Sequence, residues 1–116
     1  MRNHEVTKVQ RLLNEDGTLK EPGWSRKLYQ IYDRNDIKKR ATRIKEWDYY
    51  LIYNDKFGVA LTIDDNSYMG LNSISFLDFE NSKETTKSPM KFMTKGKTNL
   101  PATSKIGDIK VEHKNY

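Results

Sequence analysis

The chain has 116 residues, of which 35% are hydrophobic and 32% charged, so one domain with a lean core is what its length and composition allow. It has no cysteine, which excludes a disulfide framework, a thiolate metal site and a cysteine nucleophile. The net charge of +5 is unevenly spread: residues 1–45 hold 12 Lys and Arg against 6 Asp and Glu, residues 46–82 hold 1 against 7, and residues 83–116 hold 8 against 3. The chain is therefore basic, then acidic, then basic.

Residues 1–43 read as an irregular basic segment. Asn14-Glu15-Asp16-Gly17 and Glu21-Pro22-Gly23 are turn chemistry, since Gly supplies positive φ and Pro presets its own. Met1 to Leu13 carries charge throughout and has no apolar stretch ahead of a small-residue cleavage site, so the expected location is cytoplasmic. Asp33 to Arg40 holds one helical turn, with Asn35 or Asp36 expected as its N-cap.

From Ile44 the pattern changes to period two, and residues 44–116 read as an antiparallel β-sheet. Trp47, Tyr49, Leu51 and Tyr53 share one face of a strand, and Asp48, Tyr50 and Ile52 the other. Asn54-Asp55-Lys56 makes a short turn into a second strand, where Phe57, Val59, Leu61 and Ile63 alternate with Gly58, Ala60, Thr62 and Asp64. Asp64-Asp65-Asn66-Ser67 is the next turn, and Tyr68 to Glu80 a long third strand. Asn81 to Ser88 reads as a loop, Met90 to Lys95 as a weaker strand ending at Gly96, and Ile109 to His113 as the start of another. The fold class expected is mainly β, an antiparallel meander forming a partial or open barrel. About eight strands are needed to close an up-and-down barrel, so the open edges of this one are candidates for self-association.

Four features bear on chemistry. On an extended strand Glu46 and Asp48 share a face about 7 Å apart, a spacing at which two carboxylates can divide acid and base roles, although ion pairing with Arg43 or Lys45 is the commoner use. Trp24, Trp47, Tyr49 and Tyr50 are candidate ligand contacts, weighed against ordinary service as core and rim residues. Lys38-Lys39-Arg40 with Arg43 is the one basic cluster of note, and a solvated loop outweighs a nucleic-acid patch where no binding-fold signature accompanies the charge. His4 and His113 lack a second His at ligand spacing, so no metal site is expected; nor is a cofactor, since the six glycines form no phosphate-binding loop.

The stretches Leu-Asn-Glu-Asp-Gly-Thr-Leu-Lys-Glu-Pro-Gly-Trp-Ser-Arg (Leu13 to Arg26), Tyr-Asp-Arg (Tyr32 to Arg34), Arg-Ile-Lys-Glu-Trp-Asp-Tyr-Tyr (Arg43 to Tyr50) and Thr-Ile-Asp-Asp-Asn-Ser-Tyr (Thr62 to Tyr68) resemble the N-terminal part of the bacterial family called domain of unknown function 2804. The resemblance implies a β-rich, lipocalin-like architecture distantly similar to carotenoid hydratases, in a family with no assigned catalytic residue. Members of that family are longer, which points to a fragment. The reading that follows is a barrel portion enclosing a small apolar, lipid- or isoprenoid-like ligand, with Trp24, Trp47, Tyr49 and Tyr50 as walls and Arg26, Arg34, Arg43, Glu46 and Asp48 as polar groups at the entrance. The alternatives are a hydratase- or hydrolase-type enzyme using Glu46 and Asp48, and a basic nucleic-acid-binding module using Lys38, Lys39, Arg40 and Arg43.

Overall fold

Turn chemistry organises the first part of the chain in the computed structural model, which describes residues 3–112. Two compact units emerge: the first runs to Lys39 and takes up Pro101–Ile109, and the second holds Arg40–Leu100 and resumes at Lys110. In the first, Gly17 (φ +83°) closes a turn in which its N–H donates to the Asn14 carbonyl at 2.9 Å and the Thr18 N–H donates to Asp16 Oδ1 at 2.9 Å. The short strands β1 (Gln10–Arg11) and β2 (Gln30–Ile31) pair in parallel, and an isolated bridge joins Glu5 to Trp24. Val6 is fully buried there. The local turn near Asp33 is a 3₁₀ turn over Arg34–Asp36 whose N-cap is Asp33, two or three residues earlier than expected. Asp33 accepts from the Asn35 N–H at 2.9 Å, while Asp36 lies inside the turn; the Arg11 guanidinium pairs with both carboxylates, with Asp36 at 2.5 Å and Asp33 at 3.5 Å.

The second unit is a β-meander. Strands β3 (Glu46–Tyr53), β4 (Phe57–Asp65), β5 (Met69–Asp78) and β6 (Lys83–Lys87) lie in that order, all antiparallel, and β7 (Met90–Phe92) pairs β5 beyond the end of β6. The turn between β3 and β4 is the expected one: Asn54 Oδ1 accepts from the Lys56 and Phe57 N–H groups at 2.8 and 2.9 Å. The sheet is mainly β and open; it closes no barrel.

Three expectations are corrected. Lys83–Lys87 lies in the stretch read as a loop, yet it is a strand. Its sequence, Lys-Glu-Thr-Thr-Lys, has no apolar alternation; pairing with β5 imposes the register, with Thr86 Oγ1 and Ser75 Oγ 2.6 Å apart and Lys83 opposite Asp78. Strand β7 ends at Phe92 rather than running to Lys95, because Met93 (φ 58°) and Lys95 (φ 49°) turn left-handed and donate their N–H groups to the carbonyls of Tyr68 and Ser67, each at 2.8 Å. Ile109 to Glu112 forms no strand: two apolar residues without a partner strand supply too little burial to order an extended segment. His113, where that expected strand ended, lies outside the described residues.

Register fixes the faces. One face of the sheet carries Tyr50 and Ile52 of β3, Phe57, Val59, Leu61 and Ile63 of β4, and Ile74 and Phe76 of β5, with Glu46, Asp48, Asp65 and Asn72 at one end. The other carries Trp47, Tyr49, Leu51 and Tyr53 beside the small or polar Gly58, Ala60, Thr62, Ser73 and Ser75, with Leu77 at one end and Asp64 and Leu71 at the other. Burial is sparse: among the described residues the buried apolar side chains are Val6 in the first unit and Ile44 and Ala60 in the second, and the buried polar ones are Asp65, Ser67 and Thr94, of which only Ala60 and Asp65 lie in strands.

Gly70, opposite Asp65, is packed without room for a side chain, since a Cβ there would meet Thr94 Cγ2 at 2.7 Å and the Asp64 carbonyl oxygen at 2.8 Å. Gly70→Ala is expected to destabilise the second unit by about 1–3 kcal/mol, read as a lower urea midpoint with an unchanged slope. Gly58→Ala, whose Cβ would meet two side-chain atoms at 3.2 Å, is expected to lose less.

Candidate functional site

Asp65 ends β4 with its side chain fully buried, and the chain bends around it. Its Oδ1 accepts from the Ser67 N–H at 2.9 Å, the Thr94 hydroxyl at 2.6 Å and the Gly96 N–H at 3.1 Å; its Oδ2 accepts from the Thr98 hydroxyl at 2.9 Å and the Thr98 N–H at 3.4 Å. Ser67 (φ 70°) is equally buried, and its hydroxyl donates its one proton to a site shared by the carbonyls of Ala41 and, at 2.7 Å, Ile44, so one side chain ties the 3₁₀ turn Ala41–Arg43 to the β4–β5 turn. Burial pushes the Asp65 carboxyl up, but the hydrogen bonds from Thr94, Gly96, Ser67 and Thr98 outweigh it and hold it below the usual carboxylate range. The neighbouring Asp64 goes the other way. Burial raises it, Asn66 Nδ2 at 2.5 Å lowers it in part, and its Oδ1 is buried with no hydrogen-bond partner.

A cleft of about 240 Å³ lies beside this node, with Asp64, Lys91, Lys97, Thr98 and Lys110 among its lining residues. That is below the roughly 300–1,000 Å³ of ordinary small-molecule pockets, and Lys91, Lys97, Lys110 and Asp64 line it beside Met93 and Val111. The apolar surface is on the sheet instead. Phe57 and Phe76 stack at 5.8 Å between ring centroids, and Tyr50, Ile52 and Ile74 on the same face are 43%, 70% and 51% exposed. Glu46 and Asp48 share this face as their spacing requires, at its polar end, and Asp48 Oδ2 is buried without a hydrogen-bond partner.

The other sequence candidates fall in different places. Trp47 and Tyr49 point to the opposite face of β3 from Tyr50, so these three aromatics do not form one wall. Arg43 ends the second 3₁₀ turn and is exposed. Trp24, Arg26 and Arg34 belong to the first unit, where the Arg26 guanidinium lies 5.1 Å from the Trp24 ring centroid and its Nε donates to Glu5 at 3.1 Å. Of the basic cluster, Lys38 packs against Gly17 in the first unit and Arg40 begins the second. Among the described residues no group of three or more His, Cys, Asp or Glu side chains could hold a metal ion, and no helix is long and apolar enough to cross a membrane. Sequence reasoning passed over the Asp65 node. Asp-Asn-Ser was legible as a side-chain-capped turn, but nothing in the sequence brings Thr94 and Thr98 to it.

The two adjacent aspartates carry opposite stability signs. Asp65 has a lowered folded-state pKa, so its contribution is present above the unfolded value of about 3.9 and is lost as pH falls through the folded value. Asp65→Asn turns a donor toward the Thr98 donors and is expected to destabilise by about 2–4 kcal/mol at neutral pH, with the difference from wild type shrinking below about pH 4. Asp64 has a raised folded-state pKa, so its burial opposes folding above that value; Asp64→Asn is expected to leave the melting temperature at pH 7 equal or higher, and any gain should fade in acid. Thermal melts of both variants across pH 3–7 check the signs.

Neither the curated proteins nor the solved structures gave a match. A family model described as Domain of unknown function (DUF2804) matches residues 3–116, in agreement with the resemblance of the Gly-Trp and Trp-Asp-Tyr-Tyr stretches, and the chain belongs to that family.

Proposed function

We propose that the chain supplies part of a lipocalin-like wall for a small apolar, lipid- or isoprenoid-like ligand, acting in the cytoplasm. The observation that carries this is the sheet face bearing Tyr50, Leu61, Ile74 and the Phe57–Phe76 stack: a contiguous apolar surface, much of it exposed, with carboxylates at one end. Exposed apolar patches of this kind mark binding surfaces, and a few polar groups beside them fix orientation. Tyr50 is the ligand contact on that face, and Arg43, Glu46 and Asp48 order its polar end. The open sheet edges make a second copy of the chain the proposed partner.

An enzyme of the hydratase or hydrolase type is the second reading, favoured by the buried Asp48 oxygen without a hydrogen-bond partner on the face that also carries Glu46. Turnover lost in Glu46→Gln with folding intact would select it.

The ligand reading is tested by titrating a polyene fatty acid whose fluorescence rises in an apolar site. Ile74→Glu, on the proposed face, is expected to weaken binding by at least tenfold, about 1.4 kcal/mol, whereas Trp47→Ala, on the opposite face, should leave it within about threefold. The reverse result assigns the ligand to the Trp47 and Tyr49 face.

A further inference from the structure

The two outer strands of the meander differ in a way that points to a specific partner. Strand β6 is five residues long, and Lys83, Glu84 and Lys87 make its edge charged. Charge and shortness are how natural sheets discourage strand addition. Strand β3 is less protected, since it is longer and its charges, Glu46 and Asp48, sit at one end. It runs eight residues, Glu-Trp-Asp-Tyr-Tyr-Leu-Ile-Tyr, without Lys, Pro or Gly, and Trp47, Ile52 and Tyr53 are each about two-thirds exposed or more.

The hydrogen-bond phase of β3 follows from its turn. Asn54 N–H donates to the Phe57 carbonyl, so the even-numbered residues of β3 exchange backbone bonds with β4. The backbone groups of Trp47, Tyr49, Leu51 and Tyr53 therefore point outward, and among the described residues no strand pairs with them.

We infer that β3 pairs antiparallel with β3 of a second copy about a two-fold axis at Tyr50. This deepens the proposed reading in which the open sheet edges take a second copy. The register is chosen by three constraints. A two-fold axis normal to the sheet keeps like faces together, so odd residues must oppose odd residues and even oppose even. Centring it on Tyr50 sets Trp47 opposite the second copy's Tyr53 and Tyr49 opposite its Leu51, so all four outward-pointing residues of each strand exchange hydrogen bonds; a shift of the axis by one residue leaves one of them beyond the end of the other strand. Charge agrees: Lys45 falls opposite the second copy's Asp55, twice by symmetry, and the Glu46 and Asp48 ends of the two strands are kept apart, whereas parallel addition would set each carboxylate beside its twin. The pairing joins two four-strand paths edge to edge and makes the Leu61 and Ile74 faces of both copies one surface.

The chain has no cysteine, so single cysteines report the register without background. Light scattering on the wild-type chain should show a dimer that dissociates on dilution. Tyr50→Cys should form a disulfide-linked dimer in air at least about tenfold faster than Thr85→Cys on β6, because residues at a two-fold axis meet with Cα atoms about 4.5 Å apart. Tyr50→Lys, which sets two ammonium groups at the axis, should be monomeric with unchanged far-ultraviolet circular dichroism. If that variant does not fold, the two cysteine variants decide alone. Equal cross-linking at both positions, or faster linking through Thr85→Cys, overturns the β3 assignment while leaving self-association standing. A wild-type chain that stays monomeric at every concentration overturns both. Polyene binding measured on such a monomer then shows whether the ligand reading fails as well.

Discussion

Burying a carboxylate costs least where donors replace the water it gives up, and among the described residues Asp65 is fully buried with that replacement made. Five donor contacts from Ser67, Thr94, Gly96 and Thr98 converge on its two oxygens. They come from the turn after β4 and from the segment after β7, so this one side chain closes the meander at the end where its strands turn back. Ser67 extends the tie to the Ala41 and Ile44 carbonyls ahead of β3. With so few apolar side chains buried in the second unit, a charged node takes the position a hydrophobic core would hold in a richer sequence.

This division of labour explains why the sheet keeps apolar residues at its surface. Order at one end comes from directional hydrogen bonds, so Leu61, Ile74, Phe57 and Phe76 are not required to fill an interior. They stand on a face fixed by the β3–β4 and β4–β5 registers and stay partly exposed there. The neighbouring carboxylates show how environment sorts identical groups: Asp65 is stabilised as an anion by its donors, while Asp64, one residue earlier and on the other face, is pushed up by burial and has one oxygen unsatisfied.

The edges follow the same logic. A meander built from consecutive hairpins has two outer strands, and only β6 carries the lysines that make an edge unattractive to another strand. The aromatic run of β3 satisfies its even-numbered backbone groups within the sheet and points the odd-numbered ones away from it, which ties its hydrogen-bond phase to the same Asn54 turn that fixes its faces.

Period-two alternation in Trp47 to Tyr53 and Phe57 to Ile63 determined two strands, their faces and the turn between them, because side-chain direction in a strand depends only on residue parity and a three-residue turn leaves one pairing. The placement of Glu46 and Asp48 on the Tyr50 face followed from the same parity, as did the separation of Tyr50 from Trp47 and Tyr49. Tertiary structure alone decided the rest. Lys83–Lys87 became a strand because β5 offered ladder partners that no apolar pattern in the segment announces. Asp33 became the cap of the turn while Arg11, 25 residues before Asp36, bridges both Asp36 and Asp33. The Asp65 node was beyond the sequence for the same reason: a buried carboxylate is identified by its donors, and Thr94 and Thr98 reach it only once β5 and β7 have paired and the chain has turned left-handed at Met93 and Lys95.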